Sequence, residues 1–285
     1  MSSSGASSSG SAFGAYAPTG EAELVRSCVL FLDVLGVEAG ACGEERLDFL
    51  RRLRQALREA RTSVGIEHQK LHVRALFSDS LIAGFPLVGG LEPAEVIGPA
   101  EVMAARLQLE LIKRGFFLRG GLSFGEHYMD EDLAFGPALV EAAVLERKAL
   151  MPRVVLSKSA AAAERKVLDR LQDSDDSPQR QYLLIDADVT FISYLDVVID
   201  VSHDEETRDA LAQHRDAVLQ KLREHAGQPA IEAKYLWVAR YHNFVCRERA
   251  PKSLGCDHLI ELDSQISGFE SFGSDTSELF SQLVE

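Results

Sequence analysis

The chain lacks the features that define several large classes of proteins. It has only four cysteines, with no CxxC pair and no histidine at zinc-ligand spacing (Cys28, Cys42, Cys246 and Cys256). That pattern favours a reduced protein over a disulfide framework or a zinc module. No run approaches the roughly 20 apolar residues that cross a bilayer. Basic charge is also scarce, since 30 Lys and Arg stand against 44 Asp and Glu, a net charge of −14. Because nucleic-acid binding needs a basic face, we expect no nucleic-acid partner. Because no apolar run is long enough to cross a bilayer, we expect no membrane partner either.

The N-terminal stretch MSSSGASSSGSAFGAYAPTG has neither a basic n-region nor an apolar h-region. We therefore expect no secretory signal and a cytoplasmic protein. Composition changes along the chain predict four segments. These are a disordered Ser/Gly-rich tail (1–22), a main domain (23–158), a C-terminal extension of strands and helices (159–256) and an acidic flexible tail (257–285).

Hydrophobic periodicity predicts the element order β-α-β-β-α-β-α-β over the main domain. The first strand covers about 27–34, and Leu47, Leu50, Leu53 and Leu57 fall on one face of the helix that follows. The first six elements match the split βαβ, ferredoxin-like arrangement. We therefore predict an α+β fold with a central antiparallel sheet, followed by a helical C-terminal extension.

Two acidic residues stand at the predicted ends of neighbouring strands. Asp33 interrupts the apolar run VLFLDVLGVEAG, and Asp79 lies in the hairpin turn of FSDSLIAG. Taken singly, each has an ordinary interpretation as a turn or cap residue. Taken together, two carboxylates on adjacent strand ends repel each other unless a cation lies between them, and oxygen ligands suit Mg²⁺ or Mn²⁺. The pair predicts a divalent-metal site of the kind that supports displacement at phosphorus.

Four motifs then resemble a known family in order and spacing: FLDVLG, FSDSLIAGF, RGGLSFGE and FGPALVEAAVLE. They resemble the class III nucleotidyl cyclases, most nearly the pyrimidine cyclases of bacterial Pycsar anti-phage systems. The resemblance implies the class III cyclase fold for residues 23–158. It also implies that Asp33 and Asp79 are catalytic and bind two Mn²⁺ or Mg²⁺ ions per site, with Val34 ligating through its backbone carbonyl.

The same resemblance implies substrate contacts. Phe31, at the start of the first motif, would touch the nucleoside triphosphate, and Arg74 would reach toward its base or phosphates. Lys234, in the segment KYLWVARYHN, would be a third substrate contact, although this segment resembles the family more weakly. An arginine on a strand or a lysine on a helix is more commonly just solvated, and this alternative stays open for both residues.

The chain departs from the family at one point. The Asn and Arg that steer the ribose and stabilise the transition state in adenylate and guanylate cyclases align with Val140 and Val144. Neither valine donates a hydrogen bond or carries charge, so a purine cyclase is disfavoured. Either the chain is inactive or other groups handle the phosphate charge, and the candidates are Arg119, Arg147, Lys148 and Lys234.

Taken as a whole, the resemblance implies a homodimeric phosphorus–oxygen lyase, a uridylate cyclase that converts UTP to 3′,5′-cyclic UMP and pyrophosphate. The product would act as a second messenger in abortive anti-phage defence and activate a separately encoded effector. Two alternatives stay open. One is a cytidylate cyclase that makes cyclic CMP, because UTP and CTP differ only at the C4 edge of the base. The other is an inactive nucleotide-binding or dimerisation module of the same fold.

Overall fold

The computed structural model describes residues 14–17, 19–65, 72–76, 80–170, 182–201, 204–254, 258–262 and 268–271. Its first unit contains seven elements: β1 (Val25–Val34), α1 (Val37–Cys42), α2 (Arg46–Val64), β2 (His72–Leu76), β3 (Ser80–Pro86), α3 (Pro93–Ile112) and β4 (Leu118–Met129). The strands lie in the order β2-β3-β1-β4, and every neighbouring pair is antiparallel. This is the order of a split βαβ sheet, so the predicted ferredoxin-like α+β arrangement is confirmed.

The rest of the chain extends this sheet. The further elements are β5 (Ala134–Phe135), α4 (Pro137–Lys148), β6 (Val154–Leu156), α5 (Lys158–Arg170), β7 (Leu183–Asp186), β8 (Val189–Ile192), α6 (Asp196–Val201), α7 (Asp204–Glu224), α8 (Pro229–Glu248) and β9 (Phe269–Ser271). Beyond β4 the strand order continues β6-β8-β7-β9, with β6 parallel to β4, while β5 pairs with β4 to one side. Among the described helices, none is both long and apolar enough to cross a membrane.

Helices cover both faces of the first unit. Successive side chains of a strand point to opposite faces. On β1, Leu30, Leu32 and Val34 face the main core with α2 and α3, whereas Val29 and Phe31 belong to a second, smaller cluster. Helix α4 packs on that second face, where its buried residues Ala138, Ala142 and Glu146 form a stripe at four-residue spacing. The second face is the one on which Asp33 lies.

The C-terminal extension shares the main core with the first unit. Trp237 of α8 donates its Nε1–H to Asp186 at 2.9 Å, and Arg153, just before β6, pairs with the same carboxylate at 2.6 Å. The Arg153 guanidinium also lies 5.3 Å from the Trp237 ring centre, within cation–π range. Burial lowers the pKa of Arg153, and Asp186 opposes that change by stabilising the charge. This cluster fastens α8 to the sheet.

Some sequence expectations need correction. The tail boundary at residue 22 is wrong for its last part, because Tyr16 is fully buried against the second cluster. The boundary at 257 is wrong in the same way, since Ile260 is buried and Phe269 packs against Trp237 at 5.6 Å between ring centres. Leu47 is 64% exposed, so the buried face of α2 runs through Leu53, Ala56, Ala60 and Val64 instead.

Candidate functional site

Asp33 lies near the C-terminal end of β1, between two strands. Its cross-strand partners are Ser80 on β3 and Arg119 on β4. The Ser80 hydroxyl donates to Asp33 Oδ1 at 3.4 Å, and the Arg119 guanidinium lies 3.4 Å from Oδ2. Both distances are long for hydrogen bonds, so these two contacts are weak ones. The Asp33 side chain keeps 17% of its exposure, enough to remain accessible.

Arg119 joins Asp33 to a second carboxylate. Its Nε contacts Glu146 of α4, and the Glu146 side chain is only 6% exposed. Burial raises the pKa of Glu146 above its ordinary value, Arg119 opposes the rise, and the charge of Asp33 adds to it. The Arg119 guanidinium therefore contacts two carboxylates, Asp33 and Glu146. When both carboxylates are ionised, these three side chains carry a net negative charge.

Small residues on β4 allow Glu146 to reach this position. Gly121 faces α4, where a Cβ added to it would lie 2.2 Å from the carbonyl oxygen of Ala142. Two residues further on, the Ser123 hydroxyl donates to the carbonyl of Ala138 at 2.5 Å. The sequence RGGLSFG thus brings the α4 backbone against the sheet. The last turn of α4 consequently ends over Arg119.

The other residues predicted on β1 lie beside Asp33. Phe31, two residues earlier on the same face, is half-buried against the second cluster. Val34 has its side chain in the main core and 1% exposed, so only its backbone could serve a ligand at this site. Arg74 pairs with Ile82, and Ile82 pairs with Phe31, so the three residues form one row across β2, β3 and β1.

Asp79 and the rest of the hairpin turn, residues 77–79, lie outside the described residues. Within the described ranges, His, Cys, Asp and Glu side chains form no group of three or more able to hold a metal ion. The donors that are described nevertheless suit a hard divalent cation, because the Asp33 carboxylate and the Val34 carbonyl are both oxygen ligands. Residues Asp33 and Val34 therefore fit one side of a metal site.

Lys234 lies in a different place. It is a half-buried residue of α8 and lines a cavity with Leu35, Gly36 and Phe116, on the main-core side of the sheet.

The other residues predicted from the family motif lie on α4. Val140 and Val144 lie one turn apart on this helix, and Val140 is 64% exposed. Arg147 and Lys148 are exposed at the end of that helix. Of the four candidate phosphate-binding cations, Arg119 is the one that contacts Asp33.

Sequence reasoning missed Glu146. Its motif, VLERK, looks like an ordinary charged helix end, and nothing in its own neighbourhood marks it as buried. The signal that could have found it is the stripe of Ala138 and Ala142, which continues to position 146 at four-residue spacing. A buried acid at the end of an otherwise small, apolar stripe needs a cationic partner, and Arg119 is that partner.

Comparisons with known proteins give structural similarity alone. No protein-family model and no curated protein sequence matches the chain. Among solved structures, the adenylyl cyclase CyaB from P. aeruginosa matches 51% of this chain and 83% of its own, with 14% identity and a TM-score of 0.42. The guanylyl cyclase domain of the RhoGC fusion protein from the aquatic fungus Blastocladiella emersonii matches 59% and 95%, with 11% identity and a TM-score of 0.40. A class III adenylyl cyclase-like ATP-binding protein from Pseudomonas aeruginosa matches 71% and 44%, with 16% identity and a TM-score of 0.39. The fold class itself rests on the strand order and register of this chain.

Proposed function

We propose that the protein is a nucleotide cyclase of the class III type that converts UTP to 3′,5′-cyclic UMP and pyrophosphate. The observation that carries the proposal is the register of β1 and β3, in which Asp33 pairs with Ser80. Asp79 directly precedes Ser80 in the sequence. Asp33 therefore lies on one of two paired strands, and Asp79 is the residue before the other strand in the sequence, which supports the proposal that both acids bind metal.

The proposed reaction is attack of the ribose 3′-oxygen on the α-phosphorus, with pyrophosphate as the leaving group. Asp33, Asp79 and the backbone carbonyl of Val34 would hold two Mn²⁺ or Mg²⁺ ions. When bound, such ions lower the pKa of the attacking hydroxyl and neutralise charge on the leaving group. Phe31 supports the nucleotide from the same face, and Arg74 lies in the same cross-strand row.

Arg119 would replace the transition-state arginine that the family carries on its helix and that Val144 lacks. Arg119 is fixed by Glu146 at one side and reaches Asp33 at the other. Because its contact with Asp33 is long, that end of the guanidinium can turn to a phosphate oxygen without losing its contact with Glu146. A planar guanidinium suits phosphate because it presents paired donors.

The proposal includes a homodimer. Leu133, Phe135 and Val140 are all more than half exposed, and they follow one another through β5 and the first turn of α4. Exposed apolar side chains grouped in this way are typical of protein–protein interfaces. A partner protomer would cover them beside the face that carries Asp33. The anti-phage role, with a separately encoded effector that responds to the cyclic nucleotide, rests on the motif resemblance.

A second candidate is a module that binds nucleotide without turnover, and the valines at positions 140 and 144 favour it. A cytidylate cyclase is the third. One experiment separates them: purified protein is incubated with each of the four nucleoside triphosphates and Mn²⁺, and the products are separated by chromatography. We expect cyclic UMP and pyrophosphate from UTP. Cyclic CMP alone would assign the cytidylate cyclase, and nucleotide binding without product from any triphosphate would assign the module.

A further inference from the structure

A cavity of about 900 Å³ lies between the first unit and the C-terminal extension. Its walls come from the segment after β1 and the start of α2, from the end of α3 and from α7 and α8; Gly36, Phe49, Lys113, Gln220 and Lys234 represent these parts. The volume is at the upper end of the range for small-molecule sites in proteins. Neither half of the chain forms this cavity alone.

The cavity is separate from the Asp33 cluster. Asp33 points to the face covered by α4, whereas the neighbouring residues Leu32 and Val34 point into the main core with α2 and α3. The cavity opens on that main-core side, and its lining includes none of Asp33, Ser80, Arg119 or Glu146. The two sites share one connection, because Leu35 and Gly36 follow directly after β1 and line the cavity.

The charge of the lining runs against that of the whole chain. The lining contains five cationic side chains and three acidic ones, in a protein of net charge −14 (Arg52, Lys113, Arg114, Lys221 and Lys234; Glu45, Asp216 and Glu224). Counted over the lining alone, this excess of two cations favours small anions.

Two of these cations are available for a ligand. Lys113 and Arg114 are held by Glu110, and Lys221 is held by Glu224. In the described part of the chain, by contrast, neither Arg52 nor Lys234 has a carboxylate within 4.0 Å. Lys234 is half-buried at the cavity wall, so its ammonium group can donate charge-assisted hydrogen bonds to an anion bound there.

His225 adds a polar group to the same wall. Its ring stacks on Tyr235 with 5.5 Å between ring centres and 9° between planes, and its buried Nδ1 has no hydrogen-bond partner among the described residues. A buried ring nitrogen without a partner calls for one from solvent or a ligand. The cavity lining therefore includes both this unpartnered ring nitrogen and Lys234.

We propose that this cavity is a regulatory site for a small phosphate-bearing ligand, held by Lys234 and Arg52. Binding there would order the Leu35–Gly36 connection and thereby adjust the position of Asp33. The effect on Asp33 rests on the proposed cyclase function, whereas binding of the ligand does not.

The test is calorimetric titration of the full chain with inorganic pyrophosphate and with UMP, in EDTA so that no metal site is loaded. Lys234→Ala and Arg52→Ala should each weaken binding by about tenfold, the loss expected for one charge-assisted contact. Arg240→Ala and Arg51→Ala are matched controls, because each removes a cation from the same helix outside the cavity. Both controls, and Asp33→Asn, should change the affinity less than twofold. Neutral uridine should not bind.

Three results would overturn the proposal: no binding of pyrophosphate or UMP, binding unaffected by Lys234→Ala, or binding lost in Asp33→Asn. The last would place the ligand at the Asp33 cluster instead. Hydrogen exchange tests the connection without any activity assay, since amides 35–42 should gain protection on ligand binding in the wild type and not in Lys234→Ala. If the protein binds pyrophosphate in this way but makes no cyclic nucleotide, the ligand site stands and the proposed cyclase function is wrong.

Discussion

Arg119 of β4 lies between Asp33 and Glu146, in contact with both carboxylates. The contact with Asp33 follows from strand register, whereas the contact with Glu146 depends on α4 crossing the second face of the sheet. The burial of the three side chains increases from Arg119 (26% exposed) through Asp33 (17%) to Glu146 (6%). The guanidinium is thus anchored at its buried side and accessible at the other.

This arrangement predicts a double-mutant result. Arg119→Met leaves Glu146 buried without its cation and should lower the free energy of unfolding by about 2 kcal/mol, less than the 3–5 of a fully buried pair because Arg119 is partly exposed. Arg119→Met/Glu146→Met, which replaces both charges with apolar groups, should recover most of that loss. Urea denaturation of Arg119→Met, Glu146→Met and the double variant measures these changes. If the double variant is as unstable as the sum of the single ones, the two residues do not stabilise each other.

Cyclase activity should separate from stability in the same variants. The double variant should stay inactive even when its stability has recovered, because Arg119 is proposed to neutralise phosphate charge. Recovery of turnover together with stability would show that Arg119 only supports the fold.

The close approach of α4 predicts the effect of a single methyl group. Gly121→Ala places a Cβ 2.2 Å from the carbonyl oxygen of Ala142, so α4 must move away from the sheet. We expect a loss of about 2–3 kcal/mol in the free energy of unfolding, as in other overpacked cores. Gly98→Ala in α3 is the matched control, since a Cβ there meets nothing within 4 Å and should stabilise the helix by about 0.5–1 kcal/mol. Equal effects of the two substitutions would contradict the proposed packing of α4.

Two buried histidines join α7 to α8 through a directed chain of hydrogen bonds. His242 Nε2 donates to the carbonyl oxygen of His258 at 2.7 Å, so its Nδ1 accepts from His214 Nδ1 at 3.1 Å. His214 Nε2 then accepts from the Tyr194 hydroxyl at 2.8 Å. Each ring therefore donates through one nitrogen and accepts through the other, so both imidazoles are neutral in this series of hydrogen bonds. Burial lowers the pKa of His242 to about 4, and burial and the neighbouring ring lower that of His214 as well.

A pH dependence of stability follows from these lowered pKa values. Because both pKa values are lower in the folded state, unfolding takes up protons below pH 6.5. The stabilisation is therefore present above pH 6.5 and is lost as the pH falls toward 4. For His242 the loss between pH 7 and pH 5 should be about 2 kcal/mol. His242→Gln, which can still donate to the His258 carbonyl, should reduce the loss by that amount in urea titrations at the two pH values.

The comparison must be made between the two proteins at each pH. Burial raises the pKa of Glu101, and a raised carboxyl pKa acts in the opposite direction over the same range. Glu101 is present in the wild type and in His242→Gln, so the difference between the two isolates the histidine. An identical pH dependence in both proteins would contradict a neutral, buried His242.

Much of the fold could be predicted from the sequence because each strand is marked by the residues of its own short segment. Short apolar runs bounded by turn residues predicted β1, β3 and β4, and the split βαβ order then fixed their pairing. Asp33 stood out as the one acid in an apolar run, and topology alone placed it beside β3. Nothing beyond short-range periodicity and one topological rule was needed for these predictions.

Other features depended on packing between distant elements. Helix α5 was missed because its alanine-rich start, KSAAAAERK, lacks the large apolar residues that marked the other helices. The buried face of α2 was predicted through Leu47, whereas the small residues Ala56 and Ala60 let that helix approach its neighbours. Strand β9 has only three residues, too few for a periodic pattern, and its place in the fold depends on the contact of Phe269 with the distant Trp237. Glu146 belongs to this group, since its burial depends on Gly121 in another element.

The central claim is that Asp33 and Asp79 together hold the divalent ions that make cyclisation possible. It is tested by Mn²⁺-dependent pyrophosphate release from UTP in Asp33→Asn and Asp79→Asn, with Asp48→Asn, an exposed acid of α2, as the matched control. We predict that each of the first two substitutions lowers turnover at least about a hundredfold, the usual effect of removing a group that acts in the transition state. The control should retain wild-type turnover. Wild-type pyrophosphate release by both Asp33→Asn and Asp79→Asn would contradict the account.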